Sequence, residues 1–381
     1  MEIINFKIVK FIMASIFIIL FICLFVLPVQ GQVFEDTGFN FSGDFRLRYE
    51  NTEDKIQARS LFQGRNRAVV RFRAGISKKI NEYISFGTRL ATGSGDDPNT
   101  TDATLGTFVN DLEISLDRAF IEFNYKDLFL TGGKFANPFA RTDLVWDSDV
   151  NPQGFAGSYN IPFIENVNPT IRGVYSIIDE QPLTLDSYML GSQLELNIYA
   201  SQDFKFILAG AFYNYTIQSL SNAGDGDTRS NNLIFDTTGT AISYMSDFDL
   251  FDMIAIIRYD GFGASVPVYF VVDYVKNLGA EVDEDQGFML DLFVGKTTNV
   301  NDTRFRYGYA EVEKDAILAA FSNDNTTIAT NYIQHTFTLD YVVLDNTTLN
   351  LTWYLYKNKM ALPGVKNDLI SRLRLNTVIK F

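Results

Sequence analysis

Apolar and polar residues alternate along most of the chain after residue 32, in segments of about 8–14 residues that turns or polar connections separate. Gly38–Glu50, Arg65–Ser77 and Glu82–Thr92 are the first three such segments. Successive side chains of a β-strand point to opposite faces, so each segment predicts a strand with one apolar and one polar face. Apolar stripes at helical spacing and apolar runs of about 20 residues do not occur in this region. The pattern therefore favours an all-β chain.

The last segment, Asp368–Phe381, shows the same alternation over about 14 residues. Leu373 and the terminal Phe381 fall on the apolar parity, and Arg372 and Arg374 fall on the polar one. A tilted strand needs roughly 9–11 residues to cross a bilayer, so this segment is long enough to do so. Its aromatic end resembles the assembly signal of bacterial outer-membrane β-barrels. We therefore expect the barrel-assembly machinery to be a partner of this strand.

The connections between the predicted strands alternate between long and short. The long ones are Asn51–Gly64, Gly93–Ser115, Ala136–Pro152, Asp179–Leu185, Gln218–Phe248, Lys276–Gln286, Val312–Thr330 and Lys359–Asn367. The short turns lie near Lys79, Lys126, Val167, Gln202, Gly261, Asn299 and Asp345. Transmembrane barrels have long outer connections and short periplasmic turns, so this order predicts an even number of strands with both termini on the periplasmic side.

Two choices enter the strand count. Gln153–Phe163 and Thr170–Ile178 are interpreted as separate strands around a tight turn, and Leu233–Asp247 is interpreted as a loop, although Ala241–Met245 could pair locally. One strand more or fewer would break the alternation of connections, so about 14 or about 18 strands would each require two errors. We predict a transmembrane antiparallel β-barrel of about 16 strands with an infolded constriction loop.

The start of the chain has the layout of a secretory signal. Basic residues precede an apolar run, Phe11–Val29, and the small residue Gly31 precedes a predicted cleavage ahead of Gln32. We therefore predict a signal peptide over residues 1–31 and an outer-membrane barrel over 32–381. The alternative is that the run is a retained transmembrane anchor, since it is long for a signal peptide.

Arginines fall on the polar parity of the early segments. If the apolar parity meets lipid, the side chains predicted to line the pore are Arg46, Arg48, Arg65, Arg67, Arg71, Arg73, Arg89, Arg118 and Glu122. Arginines that face a lumen often form ion pairs with nearby acids, and such pairs only stabilise the barrel wall. Here they outnumber the nearby acids, which predicts a basic wall that attracts anions. The formal charge of the whole chain is −14, with acids clustered in the connections, and selectivity depends on the narrowest ring rather than on this net charge.

Several stretches, taken in order, resemble the family of Gram-negative outer-membrane proteins known as putative porins, which are distantly similar to phosphate-selective porins. They are Arg65–Arg73, Arg89–Pro98, Leu116–Phe123, Gly132–Phe139, Leu144–Asp147, Val272–Asn277 and Tyr307–Phe321. The resemblance implies a water-filled channel for the passive diffusion of small hydrophilic solutes or ions, in the outer membrane of a Gram-negative cell. It brings no active-site residue and no cofactor.

The segment Ala136–Gly154 is the predicted constriction, because the corresponding connection of general porins folds into the lumen. It contains Arg141, Asp143, Asp147 and Asp149. Infolding would place the three acids across the channel from the arginines, and opposed charged walls would create a transverse field at the narrowest point. The alternative is that these acids belong to a surface loop.

Other functions have less support in the sequence. A barrel that is plugged, or that serves only as a structural element or adhesin, stays open as an alternative. An outer-membrane lipase would have to use His335, the single histidine, and no Gly-x-Ser-x-Gly turn is present.

The acidic stretch Glu281–Asp285 lacks the spacing of a calcium-binding loop, so no metal is predicted. The expected partners are outer-membrane lipid and, in a homotrimer, further copies of the chain; nucleic acid is not expected.

Overall fold

A computed structural model describes residues 38–53, 64–96, 99–106, 108, 111–162, 165–224, 228, 230–263, 266–323, 325–361 and 367–381. Nearly all of the described residues belong to one compact unit, Asn40–Phe381. The predicted signal peptide, residues 1–31, lies outside the described residues.

Short β-strands make up most of the described chain, as the alternation of apolar and polar residues predicts. Their bounds are β1 Phe39–Glu53, β2 Gly64–Lys79, β3 Ile84–Thr92, β4 Ala103–Thr104, β5 Ile114–Tyr125, β6 Leu128–Lys134, β7 Gln153–Asn160, β8 Val167–Asp179, β9 Ser187–Tyr199, β10 Phe204–Thr216, β11 Leu233–Phe235, β12 Ala241–Tyr244, β13 Phe248–Tyr259, β14 Val268–Asn277, β15 Gln286–Gly295, β16 Thr303–Val312, β17 Tyr332–Leu344, β18 Thr347–Asn358 and β19 Ile370–Lys380. A single turn of 3-10 helix spans Ala319–Phe321. Within the described part of the chain, no helix has the length and apolar character needed to cross a membrane.

Sixteen of these strands, all except β4, β11 and β12, form one antiparallel sheet in which each strand pairs with the next. The sheet closes on itself because β1 pairs with β19, from Asp44 opposite Lys380 to Glu53 opposite Ser371. The predicted 16-stranded barrel is therefore confirmed. Since every edge strand finds a partner, the sheet has no free edge.

The three remaining strands lie in two of the long connections. β4 pairs with Val69 and Val70 of β2. β11 and β12 form a small hairpin that is separate from the barrel sheet. The stretch Leu233–Asp247 is therefore a connection, as predicted, and its part Ala241–Tyr244 pairs locally.

Longer and shorter connections mostly alternate around the barrel, although 260–267 and 278–285 contain eight residues each. The shortest turns, 126–127 and 345–346, contain two residues each. Asn346 has a φ of 58°, a left-handed conformation that asparagine tolerates better than most residues. In the turn before β16, the N–H groups of Thr298 and Asn299 donate to the Asp302 carboxylate at 3.0 and 2.7 Å. These backbone hydrogen bonds, above all the one from Asn299, hold the pKa of Asp302 below its usual value.

The outward faces of the strands are apolar and exposed. Outward residues that are more than two-fifths exposed include Leu90, Leu116, Ile121, Phe155, Ile171, Leu190, Leu194, Leu208, Met253, Phe305, Leu339, Leu351 and Trp353. A continuous apolar exterior of this extent indicates contact with something other than water. Aromatic residues are paired at the short-turn end, for example Tyr83 with Tyr125 at 5.7 Å and Phe204 with Tyr259 at 4.6 Å between ring centroids. An apolar exterior with aromatic residues near its rim is typical of a transmembrane barrel.

The inward faces are polar on part of the barrel. On β17, Gln334, Thr336, Thr338 and Asp340 are all buried, whereas Leu339 between two of them is exposed. The polar parity, which the sequence predicts to face the lumen, is therefore the parity that is buried inside the barrel here. On the predicted early segments the arginines lie on this inner parity, and their partners are described below.

Gly43 lies where the first and last strands meet. Its N–H donates to the Phe381 carbonyl oxygen at 2.8 Å, and its carbonyl accepts the Phe381 N–H at 3.1 Å. A Cβ at this position would lie 2.2 Å from the carbonyl oxygen of Arg73, so the backbone would have to move. We expect Gly43→Ala to lower the free energy of unfolding by roughly 1–3 kcal/mol. Denaturant unfolding of the barrel in detergent, followed by its heat-dependent gel mobility, measures the loss.

The matched control is Gly210→Ala, because no atom lies within 4 Å of a Cβ at that position. The control is expected to unfold like the wild type. An equal loss of stability in both variants would contradict the assignment of Gly43 to a tight closure.

Candidate functional site

Three arginines surround one carboxylate on the inner face where the barrel closes. Glu50 on β1 is 1% exposed. The Nε atoms of Arg67 and Arg374 each lie 2.7 Å from a Glu50 oxygen, and the Nε of Arg372 lies 3.8 Å away. A single negative charge therefore faces three positive ones, and this part of the wall keeps a positive excess.

A second group of charges joins the wall to the long connection that follows β6. Asp44 accepts from Arg71 and Arg73, each at 2.7 Å. Arg73 also lies 3.0 Å from an oxygen of Asp149, which accepts the Thr101 hydroxyl at 2.9 Å. Two long connections therefore meet at this point inside the barrel.

A third group lies beside the first. Asp102, in the connection between β3 and β5, contacts both Arg46 and Arg48 of β1, the latter at 2.5 Å. Arg48 also donates from Nε to the Asn376 oxygen at 2.6 Å. One carboxylate again bridges two guanidiniums.

A β-bulge on β5 produces the fourth group. Arg89 pairs with Arg118 in the ladder, and the register then shifts so that Asp117 is the extra residue. Asp117 accepts from Arg89 and from the side-chain amide of Asn151, the latter at 2.7 Å. Arg118 donates to the Asn151 oxygen at 2.7 Å. The bulge therefore brings Asp117 and Arg118 to the connection between β6 and β7, which contains Asn151.

Three of the predicted site residues lie apart from these groups. Arg65 is exposed near the start of β2. Glu122 accepts the Ser85 hydroxyl at 3.0 Å. Arg141 makes a long contact of 3.5 Å with the Ser148 carbonyl oxygen.

The connection between β6 and β7, residues 135–152, folds into the barrel. Its Phe139, Leu144 and Trp146 are 4%, 0% and 2% exposed. Phe139 and Trp146 pack edge-on against Tyr213 of β10, with ring centroids 5.2 and 5.6 Å apart, and Trp146 lies 5.6 Å from Phe321. The same apolar cluster includes Phe135, Val145, Val150, Ala156, Val174, Met189, Ala211, Tyr215, Phe248, Leu250, Val275, Met289, Ala310, Val312, Ala316, Ile317, Leu318 and Tyr332. The infolding predicted for 136–154 is therefore present.

Polar contacts anchor the tip of this infolded connection. Gln193 of β9 accepts the Ala140 N–H at 2.8 Å and donates to the Ala140 carbonyl at 2.7 Å. The Thr142 hydroxyl donates to Asp273 of β14. These bonds satisfy backbone and hydroxyl groups that would otherwise be buried without partners.

Carboxyl groups dominate the wall opposite the arginines. Asp252 and Asp273 are almost fully buried on β13 and β14. On β15, Asp291 lies 2.7 Å from Arg306, and Asp143 of the infolded connection lies 3.9 Å from the same guanidinium. Arg306 is the single cation that contacts this group among the described residues.

Asp147 and Asp149 do not stand across a gap from the arginines, as the sequence predicted. Asp149 contacts Arg73 directly, and Asp147, which is 4% exposed, accepts the Asp149 N–H at 2.7 Å. Asp143 alone of the three predicted acids faces the opposite side. The infolded connection crosses the lumen, so its tip and its C-terminal part contact different walls.

A cavity of about 300 Å³ lies inside the barrel on the arginine side. Its lining includes Arg46, Arg48, Arg304, Arg374, Asn350 and Asn376. The chain Arg48–Asn376–Asn350–Asp340 is joined by hydrogen bonds of 2.6, 2.7 and 2.6 Å. Polar side chains of four adjacent strands therefore form one connected surface in this part of the lumen.

The pore-lining set predicted from the sequence leaves out several charged residues of the inner face, Asp102, Arg304, Arg306, Arg372 and Arg374, although the sequence already places Arg372 and Arg374 on the polar parity of the last segment. The four arginines could have been found, because they lie on the polar parity of β16 and β19. Asp102 carries no such signal, since it lies in a connection where periodicity gives no direction.

His335 and Asp285 each have a local partner in the described part of the chain. His335 lies on the outward parity of β17, and its Nδ1 is 3.0 Å from the Tyr307 hydroxyl. Among the described residues, no group of three or more His, Cys, Asp or Glu side chains could hold a metal ion. Asp285, in the predicted acidic stretch, lies 3.0 Å from the Lys276 amine instead.

A closed 16-stranded barrel with an apolar exterior, a charged inner face and an infolded connection is the architecture of a transmembrane β-barrel channel. Two solved structures that are similar to the chain are variants of the porin from Rhodopseudomonas blastica, one with five substitutions and one with three. Their sequence identities are 11% and 10%; each match has a TM-score of 0.50 and covers 90% of this chain and 100% of that chain. At this identity the likeness supports the fold.

The profile of the family described as "Putative porin" matches residues 32–247, more than half of the chain. The chain belongs to this family. No functionally curated protein sequence matches it.

The anchoring of Ala140 by Gln193 can be tested directly. Gln193→Ala removes both hydrogen bonds and leaves a buried N–H and carbonyl without partners. We expect the tip of the infolded connection to fluctuate, so that single-channel current in planar bilayers becomes noisier and its mean changes. Asn197→Ala on the same strand is the control, because Asn197 donates to Glu195 instead. Steady, wild-type-like current through the Gln193 variant would contradict the anchoring role.

Proposed function

We propose that the chain is an outer-membrane porin through which small hydrophilic solutes diffuse passively, with a preference for anions. Solutes pass on the arginine side of the infolded connection. No cofactor and no covalent chemistry enter this function. The positive excess of the inner wall beside the cavity carries the proposal.

The charges on this wall are unequal. Nine arginines occupy it: Arg46, Arg48, Arg67, Arg71, Arg73, Arg89, Arg118, Arg372 and Arg374. Six carboxylates face them: Asp44, Glu50, Asp102, Asp117, Asp147 and Asp149. A solute beside this wall therefore meets a positive potential, which lowers the free energy of an anion and raises that of a cation.

The packing inside the barrel supports the same route. The apolar cluster around Trp146 fills the side of the lumen formed by β7 to β10 and β13 to β16. The cavity of about 300 Å³ lies on the side formed by β1 and β16 to β19. Hydrated solutes avoid the apolar side, so we assign the path to the polar one.

The main alternative is a plugged barrel without transport. The burial of Leu144, Trp146 and Ile317 inside the lumen favours it, because these residues form a packed core rather than a wetted wall. Single-channel conductance of the purified protein separates the two functions. The lipase alternative has no comparable support, since the ring of His335 contacts Tyr307 and Tyr309.

The location and partners follow from the same proposal. We infer a bacterial outer membrane, with lipid against the apolar exterior and the barrel-assembly machinery acting on the last strand, which ends at Phe381. Assembly into a homotrimer stays a prediction. The signal peptide over residues 1–31 is part of the proposal, because a porin has to be exported.

Arg46→Gln tests the anion preference. A unit charge changes the free energy of an ion about 10 Å away by about 0.4 kcal/mol in water, with opposite sign for anions and cations. After allowance for screening, we expect the anion-to-cation permeability ratio to fall about twofold. The reversal potential in a potassium chloride gradient measures this ratio.

Lys126→Gln is the matched control, because it removes the same charge from a two-residue turn outside the lumen. The control is expected to keep the wild-type ratio. Equal shifts in the two variants, or a wild-type channel that prefers cations, would contradict an anion-selective arginine wall.

Export can be checked by the mature N-terminus. We expect the protein recovered from the outer-membrane fraction of a Gram-negative host to begin at Gln32, because the predicted cleavage follows Gly31. N-terminal sequencing after membrane fractionation gives the answer. Intact protein that starts at Met1 in the inner membrane would favour the retained anchor.

A further inference from the structure

Asp102 contacts two arginines from a connection rather than from the barrel wall. Its two carboxylate oxygens are divided between the guanidiniums of Arg46 and Arg48, and all three side chains are mostly buried, at 13%, 16% and 6% exposure. A bridging carboxylate of this kind forms charge-assisted hydrogen bonds, which are stronger than neutral ones. The Asp102 carboxylate therefore takes the position that the carboxylate of a bound ligand would take between two arginines.

The segment that carries Asp102 is held in place independently of the arginines. Thr104 and Ala103 pair with β2, and the Leu105 N–H donates to the Ala68 carbonyl at 2.9 Å. Asp102 is therefore a tethered carboxylate whose backbone stays near the arginines when its side chain is removed.

The arginine pair is oriented in advance by the barrel. Arg48 is held through its Nε by Asn376, which in turn donates to Asn350 at 2.7 Å. The Nε of Arg46 is buried and has no hydrogen-bond partner among the described residues. Asp102 therefore does not satisfy every donor that the pair offers.

The cavity of about 300 Å³ borders the same two arginines, together with Asn350, Asn376 and Arg374. A small solute in this cavity would lie against the two guanidiniums, and Asp102 is not among the residues that line it. Its size suits an organic anion of a few carbon atoms. Cations predominate in the lining, so an anion is the occupant that the charges favour.

We propose that Arg46 and Arg48 form a binding site for the carboxylate group of small permeating solutes, and that Asp102 is a built-in competitor for this site. The inference rests on the proposed porin function. A tethered group acts at a high effective concentration, so solute carboxylates bind weakly and leave readily in the wild type. Weak binding of this kind permits conduction, whereas tight binding would block it.

Asp102→Gly tests the proposal, with sodium acetate as the probe because acetate reproduces the missing side-chain carboxylate. Binding to the folded state raises its stability. We expect acetate, exchanged for chloride at constant ionic strength, to raise the unfolding temperature of the variant in detergent but not that of the wild type. In planar bilayers, acetate is expected to reduce the chloride current of the variant at a concentration at least tenfold lower than in the wild type.

Two control variants test whether the response to acetate comes from the Arg46 and Arg48 site. Asp111→Gly removes an exposed acid from the same connection and is expected to respond like the wild type. The triple variant Arg46→Gln, Arg48→Gln, Asp102→Gly is expected to lose the response to acetate. A response of Asp102→Gly equal to that of Asp111→Gly, or one that persists in the triple variant, would overturn the proposal.

Further measurements separate the remaining explanations of a response to acetate. Inorganic phosphate at the same ionic strength is the comparison, and a response to phosphate without one to acetate would overturn the carboxylate assignment. If Asp102→Gly does not fold, Asp102→Asn, which keeps the side-chain volume, is titrated with acetate under the same criteria. The thermal measurement needs no current, so a barrel that binds acetate but does not conduct would reject the porin function and retain the binding site.

Discussion

The pairing of β1 with β19 is the constraint on which the rest of the barrel depends. It removes the two free edges of the sheet, and it also brings together residues from the two ends of the chain. Glu50 meets Arg374 and Arg48 meets Asn376 across this closure, the latter pair 328 positions apart in sequence. The positive inner wall is therefore a product of closure, because arginines of the last strand join those of the first two.

The inside of the barrel is divided into two halves of different character. Inward positions on β9 and β10, such as Met189, Tyr213 and Tyr215, are apolar or aromatic, and the infolded connection packs its own apolar side chains against them. Most inward positions on β17 to β19 are polar, and several of them, such as Asp340, Asn350 and Asn376, line the cavity. An apolar cluster excludes water whereas charged side chains retain it, so the strands with polar inner faces determine where a wetted path can lie.

The strand pattern and the strand count could be predicted from the sequence, because parity along a strand is a local property and connection lengths need no partners. The direction of the arginines of β1 and β2 follows from the same parity. Their partners Asp44 and Glu50 share the polar parity of β1, but Asp102 and Asp149 could not be predicted as partners, since they lie in connections, where no periodicity fixes the direction of a side chain. For this reason the sequence placed Asp149 across the lumen from the arginines, although it contacts Arg73.

The infolded connection has a consequence for the order of folding. Leu144 and Trp146 belong to an apolar cluster that includes residues of β10 and β13 to β16, and Trp146 also packs against Phe321. All of these partners are synthesised much later than the connection itself. Until those strands are in place, these large apolar side chains have no interior to enter and are prone to aggregation. The connection can dock only when the barrel is nearly complete, so chaperones that protect the unfolded chain before membrane insertion would have to cover this stretch.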